Sequence, residues 1–205
     1  TWELRATIEH SIPAPRPAGT LPVAVLRPPR LVGREGERAA FEAAWRERAP
    51  VLVTGEAGIG KTRFVAECTA GSAGVLRVAA HEGDATVPYA LLTRLLRAVL
   101  ARPGACAPPA LARELAHLLP ELGAARPWRS ELDRARFLGA VETLLGDAAV
   151  AGVPAVVVDD LHWADAASLE GLRHAVLATP GLAWVLVSRP DAVDAPARPV
   201  AALTG

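Results

Sequence analysis

The chain has 205 residues, of which 51% are hydrophobic and 21% charged, a composition typical of a folded globular protein and not of a disordered one. Its 22 basic and 22 acidic residues cancel, so the net charge gives no reason to expect direct binding to nucleic acid or to an anionic membrane. No apolar run reaches the roughly 18 residues of a membrane span. Cys68 and Cys106 fit no disulfide or metal-ligand spacing, which favours a cytoplasmic protein with reduced thiols.

The first 30 residues differ from the rest of the chain. Leu4 and Ile8 are four residues apart, which predicts a short helix end within residues 1–10. Six prolines and no sustained periodicity between Ser11 and Arg30 predict a semi-rigid linker. One domain, residues 31–205, is expected to follow. The sequence contains no methionine, even at position 1, which predicts a segment of a longer protein.

From residue 35 onward, helical and strand patterns alternate. Short, continuous apolar runs predict strands of a parallel sheet that is covered on both faces. Apolar residues at i, i+3 or i+4, and i+7 predict amphipathic helices. In chain order, the predicted elements are a helix at 35–48, a strand at 51–54, a helix at 61–70, a strand at 75–79, helices at 88–100, 110–119 and 131–145, a strand at 155–158, a helix at 166–178 and a strand at 182–187. This order predicts a three-layer α/β fold with a parallel sheet.

A glycine-rich segment, Gly55–Thr62, matches the pattern G-x-x-x-x-G-K-[ST] of a phosphate-binding loop between a predicted strand and a predicted helix. Its glycines let the backbone curl so that successive N–H groups face one anion, and the helix adds its positive N-terminal end. Lys61 is placed to reach the β- and γ-phosphates, and the Thr62 hydroxyl to bind Mg²⁺. We therefore predict an ATP or ADP site formed by Gly55, Glu56, Ala57, Gly58, Ile59, Gly60, Lys61, Thr62 and Arg63.

Two carboxylates, Asp159 and Asp160, directly follow the apolar run Val156–Val158. Parallel-sheet sites form at the carboxyl ends of strands, so these carboxylates are expected near the glycine-rich loop. Hydrolysis of a nucleotide needs one carboxylate near Mg²⁺ and a second group that activates water. Asp159 is accordingly predicted to hold the metal and Asp160 to be the catalytic base, although a plain loop role for Asp160 stays open.

The segment Leu161–Asp165 follows these carboxylates. Asp165 is predicted to be the N-cap of the helix that starts at Ala166. His162 fits two roles equally well, a contact with the γ-phosphate or an adjacent carboxylate and a structural role in the turn. Trp163 is predicted to be a packing residue.

Ser188 and Arg189 follow the last predicted strand. At the end of a strand beside the acidic one, Arg189 would point at the γ-phosphate and report its presence, and Ser188 would position the attacking water. A surface arginine before the turn at Pro190 fits the residues equally well.

Four segments together resemble the signal-transduction ATPases with numerous domains, the STAND branch of the AAA-like P-loop proteins. They are 31–35 (Leu-Val-Gly-Arg-Glu), 55–62, 156–165 and 188–190, and the resemblance is strongest to the ATPase module of large bacterial transcriptional regulators. It covers residues 31–190, and its Asp-Asp-Leu-His-Trp-Ala-Asp string is more specific than the glycine-rich loop alone.

The resemblance implies a switch in which ATP binding promotes self-association and slow hydrolysis restores an ADP-bound resting state. It places Val32, Gly33 and Arg34 beside the adenine and favours Arg189 as the sensor. It implies contact with DNA only through domains outside this segment, and a preceding activation domain whose last helix would be Thr1–His10. A helical and winged-helix lid should follow the last strand, so a chain that stops at Gly205 is expected to hydrolyse ATP slowly or not at all.

Two other functions are compatible with the same core. One is a nucleotide-binding regulatory module without hydrolysis, and the other is a DNA-handling AAA-type ATPase such as an initiator or loader. The zero net charge and the Leu161–Asp165 string argue against the DNA-handling ATPase.

Overall fold

The computed structural model describes residues 33–190 and the backbone of residues 4–7. The elements are β1 (Leu4–Thr7), α1 (Glu35–Glu47), β2 (Val51–Thr54), α2 (Lys61–Cys68), β3 (Leu76–Ala79), α3 (Ala90–Leu100), α4 (Pro109–Leu115), α5 (Glu131–Val150), β4 (Ala155–Asp159), α6 (Ala166–Ala178) and β5 (Ala183–Ser188). Every helix and strand predicted between residues 35 and 187 is confirmed, with α4 ending earlier and α5 ending later than predicted. None of the helices between residues 33 and 190 has the length and apolar character needed to cross a bilayer.

The five strands form one sheet in the order β1-β2-β5-β4-β3, and every neighbouring pair is parallel. Thr54 lies opposite Ser188, and Val157 lies opposite Val185, so β2, β5 and β4 run side by side in the centre. Their carboxyl ends therefore meet at one edge of the sheet. Those ends lead into the glycine-rich loop, Arg189 and Asp160, respectively.

Both faces of the sheet are covered by helices, as the continuous apolar strands predict. On one face, Leu52, Val156, Val158, Trp184 and Leu186 pack with buried residues of α3, α5 and α6. On the other face, Val51, Val53, Val157, Val185 and Val187 pack with buried residues of α1 and α2. Successive strand residues thus enter opposite cores, which gives the predicted three-layer α/β fold.

The N-terminal prediction of a helix is wrong for Leu4–Thr7, which form a strand that pairs in parallel with β2. One apolar pair four residues apart is a weak helix signal, whereas the open edge of β2 offers hydrogen-bond partners to an extended backbone. The proposal that Thr1–His10 forms the last helix of a preceding domain fails for the same residues. The predicted linker, Ser11–Arg30, lies outside the described residues, as do Val32 and residues 191–205.

Asp165 caps α6 as predicted, and it also holds the start of α3. Its Oδ1 accepts hydrogen bonds from Ser168 N at 2.8 Å and from Tyr89 N at 2.7 Å, and its Oδ2 accepts one from Ala90 N at 3.1 Å. The Ser168 hydroxyl oxygen accepts a further bond from Leu92 N at 3.1 Å. One buried carboxylate therefore joins two helix N-termini immediately after the turn that follows β4.

Candidate functional site

The loop between β2 and α2 depends on glycine at two positions. Gly58 has φ +79° and Gly60 has φ +93°, a left-handed conformation that residues with a Cβ rarely adopt. A Cβ at either position would meet nothing within 4 Å. Glycine is therefore required there by the backbone conformation and not by crowding within the protein.

Lys61, the only lysine in the sequence, is buried within this loop at 9% exposure. Its Nζ donates hydrogen bonds to Gly55 O at 2.8 Å and to Glu56 O at 3.0 Å. Burial lowers the pKa of the Lys61 ammonium, and the charges of Asp160 and Asp159 oppose that shift. An anion bound next to Nζ would favour the charged form, so the site suits a phosphate group better than a neutral one.

One cavity of about 330 Å³ brings together three segments that are far apart in sequence. The glycine-rich loop and the start of α2 form one wall, and Asp160 and Arg189 form the rest. Its lining residues are Ala57, Gly58, Gly60, Lys61, Thr62, Arg63, Asp160 and Arg189. All of them are predicted site residues, and they meet because β2, β4 and β5 are neighbours that end at the same edge.

Thr62 and Asp159 line a second cavity of about 330 Å³, on the side of the loop toward β3. A hydroxyl oxygen and a carboxylate oxygen are the hard ligands that Mg²⁺ prefers, together with water and phosphate oxygens. Asp159 also accepts a hydrogen bond at its Oδ1 from Asp160 N, at 2.8 Å. This bond fixes one oxygen of the carboxylate next to the strand end. The donor set therefore fits Mg²⁺.

Asp160 has an unusual backbone conformation, with φ +51° and ψ +38°. Aspartate tolerates this left-handed region better than most residues, and the carbonyl of Asp160 accepts a hydrogen bond from Trp163 N at 2.9 Å. The side chain is half-exposed at the cavity, and its Oδ1 lies 3.9 Å from Nδ1 of the buried His162. The tight turn after β4 thus presents this carboxylate to the cavity.

Arg189 also lies at this cavity, directly after β5. Its guanidinium carbon is 5.8 Å from the centroid of the Trp163 ring, within the range of a cation–π contact. The neighbouring Ser188 is completely buried, and its hydroxyl has no hydrogen-bond partner within the described part of the chain. The contact between Trp163 and Arg189 was not predicted. The sequence indicated only a packing role for Trp163, and the two residues are distant in sequence.

The segment before α1 reaches the loop from another side. The Arg34 guanidinium donates a hydrogen bond to Ile59 O within the glycine-rich loop. Gly33 N donates to the Glu35 carboxylate at 3.2 Å. Arg34 therefore lies against the loop, whereas the Gly33 bond stays within its own segment and Val32 is outside the described residues.

Comparison with known protein families agrees with this architecture. The profile described as AAA ATPase domain matches residues 30–186, which include β2, the glycine-rich loop, β4 and most of β5. No curated protein matches the chain. The parallel sheet with its loop between β2 and α2 is accordingly the αβα sandwich of P-loop NTPases, and the domain is a nucleotide-binding ATPase module. The chain belongs to the AAA ATPase domain family.

Proposed function

We propose that this domain binds Mg·ATP, hydrolyses it slowly and acts as the ATP/ADP switch of a bacterial transcriptional regulator of the STAND class. The observation that carries the proposal is the shared cavity of Lys61, Asp160 and Arg189, which lie in the segments that follow three adjacent strands. A basic group, a carboxylate and a second basic group around one cavity suit a phosphate chain and an attacking water. Turns with a purely structural role would not need these three charged groups around one cavity.

The phosphates would lie against Gly55–Arg63, with Lys61 exchanging its bonds to loop carbonyls for bonds to phosphate oxygens. The positive end of α2 and the backbone N–H groups of the loop would add further stabilisation. The contact from Arg34 to Ile59 supports placing Val32, Gly33 and Arg34 beside the adenine, because it brings the last of these residues to the loop.

Thr62 and Asp159 would hold Mg²⁺, which neutralises negative charge on the phosphates when bound. Asp160 would accept the proton of the attacking water, because its carboxylate is half-exposed at the cavity and its position is fixed by the turn. Arg189 would contact the γ-phosphate.

The difference between ATP and ADP is the γ-phosphate, and the residues that would surround it follow different strands. The γ-phosphate would therefore connect Lys61 and Arg189, with the attacking water between it and Asp160, and hydrolysis would remove that connection. A state-dependent contact of this kind is what a switch that controls self-association requires. Any contact with DNA would come from domains outside this segment, which we expect to work in the cytoplasm.

Self-association of the full-length protein tests the switch. We expect Asp160→Asn with Mg·ATP to sediment as a larger species than the same variant with Mg·ADP, because it would keep the γ-phosphate uncleaved. Arg46→Ala, at an exposed position on α1, is the matched surface control and should behave like the wild type. Equal sedimentation with ATP and ADP would contradict a switch that acts through self-association.

A further inference from the structure

We infer that Trp163 is a positioning residue that holds Arg189 ready for the γ-phosphate of ATP. This inference rests on the proposed role of Arg189 as the sensor of that phosphate. It assigns the tryptophan of the turn after β4 a part in distinguishing ATP from ADP, beyond packing.

The ring of Trp163 is itself fixed. It packs against the core between the sheet and helices α3, α5 and α6, and its centroid lies 5.0 Å from that of the His162 ring. The Trp163 backbone N–H donates to Asp160 O, which closes the turn. A ring that packs against the core and against the His162 ring can support a neighbouring cation.

The guanidinium of Arg189 lies 5.8 Å from the centroid of that ring. Within residues 33–190, the structure gives this guanidinium no hydrogen bond and no ion pair, so the ring is the contact that restrains it. Arginine has several rotatable bonds, and ordering it at the moment of binding would cost affinity. Prior contact with the ring lowers that cost.

When Arg189 contacts Trp163, it already lies at the proposed nucleotide site. Arg189 lines the cavity that Lys61 and Asp160 also line. The contact therefore keeps Arg189 at the wall of the cavity in which a terminal phosphate would lie and does not withdraw it. The same contact keeps Arg189 near Lys61, whose pKa it lowers, and this like-charge proximity favours an anion between them.

The test compares the affinities for the β,γ-imido analogue of ATP and for ADP, each with Mg²⁺, by isothermal titration. We expect Trp163→Leu to weaken binding of the analogue by about three- to tenfold and to leave binding of ADP unchanged. Arg189→Ala should show the same selective loss, equal or larger. In the Arg189→Ala background, Trp163→Leu should have no further effect, because the ring acts through the arginine.

Trp128→Leu is the matched control, since Trp128 is a partly exposed aromatic residue that packs with Tyr89, His117 and Phe137, outside the cavity. It should leave both affinities unchanged. Trp163→Phe keeps an aromatic face and should retain part of the preference for the analogue over ADP. A loss caused only by misfolding would instead weaken binding of both nucleotides. Should Trp163→Leu fail to fold, the Phe variant alone carries the test, in the wild-type and Arg189→Ala backgrounds.

The outcomes separate this inference from the proposed function. If Arg189→Ala leaves the ratio of the two affinities unchanged, the sensor role of Arg189 itself fails. If Arg189→Ala lowers the ratio but the Trp163 variants leave it unchanged, raise it, or weaken both nucleotides equally, the positioning role of Trp163 is overturned. Additive losses in the double variant would overturn it as well.

Discussion

Lys61→Ala is expected to weaken binding of both ATP and ADP severely. Lys61 is the only lysine of the chain, and its ammonium group is buried inside the glycine-rich loop. Charge-assisted hydrogen bonds to phosphate oxygens contribute several kcal/mol, so their loss should weaken binding by roughly 100- to 1,000-fold. Isothermal titration of Mg·ATP and Mg·ADP into the purified protein measures the effect.

Two further variants identify the cause of that loss. Lys61→Met keeps most of the apolar stem without the charge, and it should lose binding as Lys61→Ala does. Arg46→Ala removes an exposed charge from α1 and should bind as the wild type does. Unchanged affinity in Lys61→Ala would mean that the loop is not the nucleotide site, and retained affinity in Lys61→Met would mean that the ammonium is not the cause.

Asp160→Asn is expected to lower ATP turnover by roughly 100-fold or more, with little change in ATP affinity. The amide cannot accept the proton of water, but it has nearly the same shape as the carboxylate. Asparagine also tolerates the left-handed backbone found at this position, so the turn should survive. Phosphate release under multiple-turnover conditions measures the rate, and titration measures the affinity.

Asp147→Asn is the control for this change, because Asp147 is an exposed aspartate of α5 that lies outside the cavity of Lys61 and Asp160. It should turn over ATP at the wild-type rate. If the wild type binds and hydrolyses ATP and Asp160→Asn has the same turnover rate, Asp160 is a plain loop residue, as in the alternative interpretation. A wild type that binds but never turns over would favour a nucleotide-binding module without hydrolysis.

Much of the fold was predictable because its signals are local. The strands Val51–Thr54 and Ala155–Asp159 are continuous apolar runs up to their last residue, and only a sheet covered on both faces buries such runs completely. The glycine-rich loop was predictable because its backbone requires glycine at Gly58 and Gly60, which leaves a fixed spacing in the sequence. The convergence of Asp160 on that loop followed from the rule that parallel strands end at one edge.

The features that were not predicted depend on contacts between distant segments. The four residues of β1 carry no clear pattern, and their conformation is decided by pairing with β2. The N-cap role of Asp165 has a local signal, but its bonds to the start of α3 depend on how two helices meet. The same holds for Trp163 and Arg189, whose contact arises only because β4 and β5 are neighbours.

Selective acylation of Lys61 tests the central claim, that Gly55–Thr62 binds the phosphates of ATP, most directly. An acyl phosphate of ATP transfers its acyl group to an amine near its terminal phosphate, and Lys61 is the only lysine of the chain. Mass spectrometry of the digested protein should find the acyl group on Lys61, and excess Mg·ATP should prevent its transfer. No transfer to Lys61, or transfer that excess Mg·ATP leaves unchanged, would contradict the claim.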